Sequence, residues 1–499
     1  MINKNHSGPW SLDLSISSLF LTPGHHTYNM KTVEAKEAEA VTAEDIAKLK
    51  LECRVYQESG AVPATISLVL PTFNTNKPEY NVVLSNILKE ASKLIDDGAI
   101  DELVIVDGSR DKNGRPDFEF IKFMLAVCVK HCKTFSNEVH FVKSLPEGKQ
   151  KAMEGRFDFS VRFLSQLDPL LHKIFLDHRL LTKKEVEFLK KGKGAGLWYS
   201  VPVTYGHIIC FIDSDIRSFD DYYVASLCKP ILDSWDSDAK TRKLNPGVVF
   251  TKAIYVRKNE TEKGNRFGGR VSRLFMKPIF RIFDKKGVFA GMDEIKYHLS
   301  GECAFAIDTL KTIRFSNGYD IETSILCQLW KEYGLDRMAQ VDLGVYQHMP
   351  GSQKHVLGML DEIVAAIKYW INEYGLDGIS IKELSDKYPR EAKGLLDEFH
   401  KTALWLGTFN YDKEDRQGDE DLISRFRRRM EESWESAEEP KLLKAWKELE
   451  EKADSEKGYS YQNLKVTLRK RINKFTSNII LSSIFVDRSD DIINKYSSI

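Results

Sequence analysis

Three short apolar runs constrain the fold of this chain most strongly. A polar or turn residue ends or directly follows each run, and helical patterns separate the runs. The runs cover residues 66–71, 102–107 and 207–212. Strands that alternate with helices at this spacing predict an α/β core with a parallel sheet and right-handed crossovers. Because ligands bind such sheets at the carboxyl ends of the strands, Pro71, Asp107 and Asp213 mark the candidate site.

The same reasoning assigns further elements along the chain. We predict strands at residues 138–143, 247–254, 303–307 and 341–347. The segment at about 145–190 has a helical pattern, so we interpret it as a helical insertion in the α/β core. Helical patterns also cover residues 30–58 and much of 356–499.

Length and pattern together predict three parts, since 499 residues are enough for several domains. We expect an N-terminal helical extension over 1–60 and an α/β domain over 61–355 that carries the insertion. A helical C-terminal region over 356–499 follows, and it either packs on the core or makes contacts in an oligomer, for which a homodimer is the expectation.

Composition removes some classes of function. The chain has 73 basic and 73 acidic residues, so its formal net charge gives no general argument for binding nucleic acid or an anionic membrane. Its seven cysteines are scattered, which favours reduced, buried thiols. No apolar run approaches the roughly 18 residues of a membrane span, and the N-terminus lacks the apolar segment of a signal peptide. We therefore predict a cytoplasmic protein.

Two acidic residues, separated by one position, follow the apolar run at 207–212. In an extended chain Asp213 and Asp215 point to the same side, roughly 6–7 Å apart at about 3.3 Å per residue. Carboxylates at that spacing repel each other, and a hard divalent cation with phosphate oxygens as further ligands would hold them together. The alternative is an ordinary hydrophilic turn after a strand, with Ser214 between its two acids.

Two glycine-rich basic segments have features of anion sites. Lys193 lies between two glycines at a predicted helix start, where backbone N–H groups and the helix N-terminus attract an anion. The segment Gly269-Arg270-Val271-Ser272 has the same features, with a guanidinium suited to bidentate contact with phosphate or carboxylate. A flexible turn is the alternative for the first segment, and a solvated basic turn for the second.

Two further residues are candidates for the same site. His348 ends the last predicted strand, and its imidazole would suit a Mn²⁺-like ion if it faces the aspartates; a structural histidine is the alternative. Glu322 opens a predicted helix, where its carboxylate either stabilises the helix N-terminus or orients a substrate hydroxyl.

Taken in order, these segments resemble a known family. The ordered motifs are Gly192-Lys193-Gly194, Phe211-Ile212-Asp213-Ser214-Asp215-Ile216, Gly269-Arg270-Val271-Ser272, Leu299-Ser300-Gly301-Glu302, Gly318-Tyr319-Asp320-Ile321-Glu322, and Asp342-Leu343-Gly344-Val345 followed by His348. The Asp-x-Asp motif is similar to the metal motif of GT-A glycosyltransferases. The whole series, over about residues 65–355, is similar to glucosyl-3-phosphoglycerate synthases.

The resemblance implies a GT-A core, which is a Rossmann-like nucleotide-diphospho-sugar transferase fold. It also implies a retaining enzyme that moves glucose from UDP-glucose to 3-phosphoglycerate, giving the precursor of the compatible solute glucosylglycerate. The implied cofactor is Mg²⁺ or Mn²⁺, and the implied partners are a nucleotide-sugar donor and the phosphoglycerate acceptor, without nucleic acid or membrane.

The resemblance also implies roles for individual residues. The implied donor-binding residues are Pro71, Phe73, Asp107, Ser109, Lys193, Asp213 and Ser214. The implied metal ligands are Asp213, Asp215 and His348. The implied acceptor-binding residues are Gly269, Arg270 and Ser272. The implied catalytic residues are Asp215, Glu322 and Arg270.

The chain also departs from the family's pattern. Thr75 and Asn76 stand where the family usually carries acidic residues, which leaves the donor base open. Ser272 replaces the usual Thr, and Tyr346-Gln347 stands where Arg is usual. The alternatives are therefore GDP-mannose or another donor, an already glycosylated phosphoglycerate as acceptor, and, in a different class, a nucleotide-sugar-binding protein without turnover.

Overall fold

The computed structural model builds a mixed β-sheet with helices on both faces. The described residues are 26–29, 35–37, 41–57, 60–235, 246–261, 264–347, 353–376, 378–406, 411–436, 438–455, 460–482 and 489–497. The strands are β1 (His26–Asn29), β2 (Ala35–Glu37), β3 (Arg54–Gln57), β4 (Gly60–Pro63), β5 (Ile66–Thr72), β6 (Glu102–Asp107), β7 (Val161–Ser165), β8 (Ile208–Phe211), β9 (Phe250–Thr261), β10 (Gly264–Phe267), β11 (Cys303–Ala306) and β12 (Met338–Gln347).

The helices lie between these strands and then fill the C-terminal part of the chain. The α-helices are α1 (Ala43–Glu52), α2 (Pro78–Asp96), α3 (Phe118–His131), α4 (Lys133–Ser144), α5 (Glu147–Met153), α6 (Pro169–Asp177), α7 (Lys183–Leu189), α8 (Lys193–Ser200), α9 (Tyr222–Asp233), α10 (Lys277–Asp284), α11 (Ile307–Thr312), α12 (Ile321–Tyr333), α13 (Gln353–Glu373), α14 (Ile381–Leu406), α15 (Lys413–Ser436), α16 (Trp446–Ser455), α17 (Tyr461–Ser482) and α18 (Ser489–Ser497). A π-helical turn, Ser272–Met276, leads into α10.

The main sheet confirms the predicted α/β fold with its helical C-terminal region. Its strand order is β2-β1-β12-β9-β11-β8-β5-β6-β7, with β10 paired to β9. The four strands β8, β5, β6 and β7 are parallel. The predicted parallel arrangement is thus confirmed for these strands, whereas strand β11 runs antiparallel to both β8 and β9, so the sheet as a whole is mixed. The carboxyl ends of β5, β6 and β8 lie at one edge.

The hydrophobic core joins the sheet to the C-terminal helices. Trp198 of α8 stacks on Trp446 of α16 with ring centroids 4.4 Å apart. The indole N–H of Trp446 donates to the backbone oxygen of Trp198 at 2.7 Å, and that of Trp198 donates to the Lys444 backbone oxygen at 2.8 Å. Both indoles are buried, and burying such side chains stabilises the fold by roughly 1.5–3 kcal/mol or more each. The C-terminal helices therefore share a core with the sheet.

The strand predicted at 138–143 is wrong, since these residues lie in helix α4. The apolar residues Phe135, Val139 and Val142 are spaced four and three apart and bury one helical face. Asp96 accepts hydrogen bonds from the backbone N–H groups of Lys133 at 2.8 Å and of Thr134 at 2.9 Å. This carboxylate satisfies donors that a helix start leaves open, and it favours the helix.

The helical insertion predicted at about 145–190 is wrong in part. It contains α5, α6 and α7, but also strand β7, whose five residues are all buried. Strand β7 pairs in parallel with β6 and supplies the third strand that was expected at 138–143. A short apolar run that is buried on both faces has no alternation to distinguish it from a helix segment.

The helix predicted over 30–58 is confirmed only for α1. Thr42 caps the N-terminus of α1 and forms a capping box with Asp45, and the hairpin of β3 and β4 follows the helix. Strands β1 and β2 precede it at the edge of the main sheet, and residues 1–25 lie outside the described part. The boundaries at residues 60 and 355 stay a prediction. Every helix in the described part of the chain is too short or too polar to span a membrane.

Candidate active site

A cleft of about 1210 Å³ lies at the carboxyl ends of β5 and β8. Sequence-predicted residues that line it are Pro71, Phe73, Lys193, Asp213, Ser214, Asp215, Gly269, Arg270, Ser272 and Glu322. The C-terminal region adds a wall with Met359, Glu362 and Lys441. Segments far apart in sequence therefore converge on one site, at the edge of the sheet where ligands bind.

A lysine joins two carboxylates at the centre of the cleft. Lys193 Nζ lies 2.6 Å from Asp213 Oδ1 and 3.1 Å from Glu322 Oε1. Burial alone would lower the pKa of Lys193, but the nearby carboxylates of Asp213 and Glu322 raise that pKa well above its ordinary value. The ammonium group is therefore charged, and it holds both carboxylates in place.

Local backbone positions this lysine. Asn317 accepts a hydrogen bond from the N–H of Ala195 at 2.9 Å, and its side-chain amide donates to the backbone oxygen of Lys191 at 2.6 Å. These contacts fix the turn at which α8 begins, with Lys193 as its first residue. Gly301 packs directly on Lys193 and Asp213, where an added Cβ would collide with both side chains. Only glycine allows this close approach.

The two aspartates lie just beyond β8, which ends at Phe211. The N–H of Ile212 still bonds to the backbone oxygen of Val69 at 3.2 Å, but Ser214 and Asp215 already form a turn, so the extended geometry does not persist to Asp215. Ser214 shares a hydrogen bond of 2.9 Å with the hydroxyl of Tyr80, which is a contact that the sequence did not suggest.

The structure describes two of the three predicted metal ligands. Asp213 and Asp215 line the cleft, but His348 lies outside the described residues. Within the described ranges, no group of three or more His, Cys, Asp or Glu residues has the arrangement of a metal site. The two aspartates are thus two carboxylate donors in one cleft, and Lys193 contacts one of them.

Asp107 and Ser109 lie beneath the cleft and support its floor. Asp107 accepts hydrogen bonds from the hydroxyls of Thr72 at 3.0 Å and Ser109 at 2.6 Å. Burial raises the pKa of Asp107 to about 7, although these hydrogen bonds oppose the rise. Ser109 in turn accepts from the backbone N–H of Asn74 at 2.7 Å. This network fixes the loop after β5, where Phe73 is 58% exposed and lines the cleft.

Arg270 also lines the cleft, and its guanidinium contacts the C-terminal region. Its Nε donates to Asp419 Oδ1 at 2.9 Å, and Nη2 of Arg273 donates to Asp419 Oδ2 at 3.1 Å. Ser272 accepts a hydrogen bond from the backbone N–H of Leu299 at 3.2 Å. Gly269 has a φ of +65°, and an added Cβ would collide with the hydroxyl of Tyr297.

Several residues in or near the cleft escaped the sequence analysis. Arg257 and Tyr297 line it and hydrogen-bond each other. Glu362 accepts a hydrogen bond from the backbone N–H of Tyr319, just before α12 and Glu322. Motif order could not reveal them, because they lie outside the ordered motifs or carry no chemistry until the chain has folded.

Glu302 belongs to one of the ordered motifs, and the structure shows what surrounds it. The hydroxyls of Tyr255 and Tyr346 donate to its carboxylate at 3.0 Å and 2.9 Å, and their rings stack with centroids 3.9 Å apart. Burial raises the pKa of Glu302, nearby Asp213 raises it further, and Lys193 opposes the rise. Tyr346, which stands where the family usually has Arg, thus supports a buried carboxylate behind Asp213.

Fold and cleft define an α/β protein whose candidate ligand site lies at the carboxyl ends of parallel strands and combines carboxylates with basic side chains.

No family model matches the chain. Curated relatives are nevertheless similar to it. Over 178 residues it is 30% identical to the glucosyl-3-phosphoglycerate synthase of Mycolicibacterium smegmatis. These residues make up 35% of this chain and 54% of that protein. The synthase of Petrotoga mobilis is 28% identical over 200 residues, 40% of this chain and 56% of that protein.

A third relative covers more of the chain. The glucosyl-3-phosphoglycerate synthase of Mycobacterium tuberculosis is 24% identical over 316 residues, 62% of this chain and 74% of that protein. The resemblance predicted from the ordered motifs is thus confirmed by relatives that bear this name. The chain spans about half the length of the first two relatives.

Solved structures are also similar. A crystal structure of the Mycobacterium tuberculosis synthase with Mn²⁺, UDP and phosphoglyceric acid has a TM-score of 0.42 at 23% identity and covers 67% of this chain and 84% of that chain. A crystal structure of mannosyl-3-phosphoglycerate synthase from Rubrobacter xylanophilus has a TM-score of 0.44 at 24% identity and covers 67% of this chain and 80% of that chain.

Proposed function

We propose that this protein is a metal-dependent, retaining glycosyltransferase that moves glucose from UDP-glucose to 3-phosphoglycerate. The observation that carries the proposal is the contact of Lys193 with both Asp213 and Glu322, in a cleft that Arg270 also lines. A nucleotide-sugar transferase must bind a diphosphate, orient a hydroxyl and bind its acceptor. These side chains supply one group for each task.

The cleft suits a hard divalent cation. Asp213 and Asp215 offer carboxylate oxygens, which Mg²⁺ and Mn²⁺ prefer, and diphosphate oxygens would supply further ligands. Asp213 already attracts one cation, the ammonium of Lys193. His348 would add an imidazole. When bound, such an ion would act as a Lewis acid on the departing diphosphate.

The chain's own residues would do the remaining work. Lys193 would place a positive charge against the leaving diphosphate as negative charge develops there. Glu322, held by Lys193 at 3.1 Å, would position a sugar or acceptor hydroxyl. The acceptor hydroxyl would attack the anomeric carbon from the face that the diphosphate leaves, and a phosphate oxygen would take the hydroxyl proton. This route retains the configuration without a nucleophilic side chain.

The walls of the cleft would determine which substrates bind. Pro71 and Phe73, on the loop supported by Asp107 and Ser109, would contact the nucleobase. The two exposed faces of a base suit an aromatic ring such as that of Phe73. Arg270, with Gly269 and Ser272 beside it, would bind the phosphate or carboxylate of phosphoglycerate by bidentate hydrogen bonds.

A second donor is part of the proposal, because Thr75 and Asn76 depart from the family's acidic pattern next to Phe73. GDP-mannose is the candidate. A homodimer is a further proposal. The three-part division at residues 60 and 355 is another, with a C-terminal part that shares a core with the sheet.

The test is a donor and acceptor screen with the purified full chain and Mg²⁺ or Mn²⁺. We expect nucleoside diphosphate release from UDP-glucose that depends on 3-phosphoglycerate, and a product with the anomeric configuration of the donor. Release from GDP-mannose alone would move the proposal to that donor, and acceptor-dependent release with only a glycosylated phosphoglycerate would change the acceptor. Binding of UDP-glucose without release in any combination would favour a binding protein and refute the enzyme.

A variant tests the metal ligand directly. Asp215→Asn keeps the size of the side chain and removes its charge, so turnover at saturating metal should fall by about 10²–10³. Asp220→Asn, an exposed aspartate a few residues further along, is the matched control and should be as active as the wild type. Equal rates for both variants would refute the assignment of Asp215.

A further inference from the structure

The helical C-terminal region contributes a buried carboxylate to the wall of the cleft. Asp419, on α15, is 1% exposed and contacts Arg270 and Arg273 at 2.9 Å and 3.1 Å. The hydroxyl of Tyr411 donates to it at 2.9 Å. Arg270 and Asp419 are 149 positions apart, and the resemblance to known synthases ends near residue 355, so no motif pointed to this contact.

Geometry explains why the two arginines need this partner. Arg270 and Arg273 are three positions apart at the start of a helix, where side chains at that spacing are neighbours and two positive charges repel. One buried carboxylate between them offsets the repulsion, since Oδ1 faces Arg270 and Oδ2 faces Arg273. The hydroxyl of Tyr411 orients the second oxygen.

The pairing leaves Arg270 directed at the cleft. Asp419 takes the Nε–H of Arg270, which lies on the stem side of the guanidinium, whereas the Arg270 side chain stays 36% exposed and lines the cleft. Two guanidiniums and one carboxylate leave a net charge of about +1 by formal count, which still attracts an anion. The buried Arg273, 7% exposed, cannot take that role.

From these contacts we infer that Asp419 is a positioning residue for Arg270, through which the C-terminal region sets the affinity for the acceptor. This inference rests on the proposed function, since it deepens the assignment of Arg270 to the acceptor. A guanidinium fixed on one edge loses less rotamer freedom when it binds a phosphate or carboxylate on its other edge. Without Asp419, the Arg270 side chain would adopt several rotamers. Ordering it would then make the free energy of acceptor binding less favourable.

The test is Asp419→Asn, measured as separate Michaelis constants for the two substrates. The KM for 3-phosphoglycerate should rise about tenfold or more, since a charge-assisted hydrogen bond is lost, whereas the KM for UDP-glucose should change less than about twofold. Asp421→Asn is the matched control, because it makes the same change at an exposed position of the same helix. It should leave both constants unchanged.

Two results would overturn the inference. A lower KM for 3-phosphoglycerate in Asp419→Asn would mean that Asp419 competes with the acceptor for Arg270. An unchanged KM with a lower melting temperature would mean that the contact is only structural. Tyr411→Phe provides a milder test should Asp419→Asn fail to fold. It removes one hydrogen bond from Asp419, so the acceptor KM should rise about two- to fivefold, and no rise would count against the inference.

Calorimetry separates this inference from the proposed function. Titration of 3-phosphoglycerate into the wild type and Asp419→Asn measures acceptor binding without turnover. Weaker binding to the variant, with no transfer by the wild type, would support the role of Asp419 and refute the glycosyltransferase. Transfer by the wild type with equal binding to both proteins would refute only the role of Asp419. No binding to the wild type, together with no transfer by it, would refute both.

Discussion

Removing the charge of Lys193 should have two opposite effects, since the affinity for the metal should rise while turnover should fall. In the structure its ammonium group lies 2.6 Å from Asp213 Oδ1, an oxygen that we propose as a metal ligand. A cation that binds Asp213 must displace or outcompete this ammonium. A hydrogen bond to a charged group contributes about 1.5–3 kcal/mol, and about 1.4 kcal/mol corresponds to a factor of ten.

Lys193→Met keeps a long, unbranched side chain and removes the charge. Mn²⁺ should therefore bind the nucleotide-free variant about 10- to 100-fold more tightly than the wild type, as measured by electron paramagnetic resonance of free Mn²⁺. Turnover should fall by about 10²–10³, because the charge that we propose to stabilise the leaving diphosphate is lost.

Lys191→Met is the control for this experiment. Lys191 also lines the cleft, but it is exposed and lies outside the contact between Lys193, Asp213 and Glu322. It should show neither change. Mn²⁺ binding that is unchanged or weaker in Lys193→Met would refute the idea that the lysine and the metal share Asp213.

Three further predictions concern support for the site and the fold. Glu362→Gln replaces the carboxylate that accepts the backbone N–H of Tyr319 by a neutral, weaker acceptor. In steady-state kinetics kcat should fall about fivefold with little change in either KM, and an unchanged kcat would contradict this. The raised pKa of Asp107, about 7, means that the folded protein keeps a proton that the unfolded chain loses above its ordinary value of 3.8. The free energy of unfolding should therefore fall with pH, by up to about 1.4 kcal/mol per unit, between about pH 4 and 7 and level off above, relative to Asp107→Asn. Denaturant titrations with equal slopes against pH in both proteins would count against that. Trp446→Ala removes the ring that stacks on Trp198 at 4.4 Å and should lower the free energy of unfolding by about 3–5 kcal/mol. The whole chain should still unfold in one transition, and a separate early transition of the C-terminal helices would show that they do not share the core.

The sequence predicted the parts of the fold that carry a local signal. Strands β5, β6 and β8 appear at their predicted places because each is an apolar run with a polar end. The cleft followed from the rule that ligands bind at the carboxyl ends of strands. The choice between helix and strand failed at 138–143 and 161–165. The first run lies in helix α4, where Val139 and Val142 belong to one buried helical face, and the second is short and buried on both faces, so tertiary packing decides both cases.

Contacts across long sequence separations were beyond the reach of the motifs. Lys193 and Glu322 were both candidates, but the sequence did not show that they touch across 129 positions. Asp419 carried no local signal at all, since it is one acid among many in the charged helix α15. Its role appears only when the fold brings it to Arg270.

The anomalous scattering of Mn²⁺ in crystals of the protein with UDP tests whether Asp213 and Asp215 hold the metal. We expect a single strong anomalous peak in the cleft, within bonding distance of a carboxylate oxygen of Asp213 or Asp215 and of the diphosphate. A peak elsewhere, or bound UDP without Mn²⁺ beside these aspartates, would contradict it.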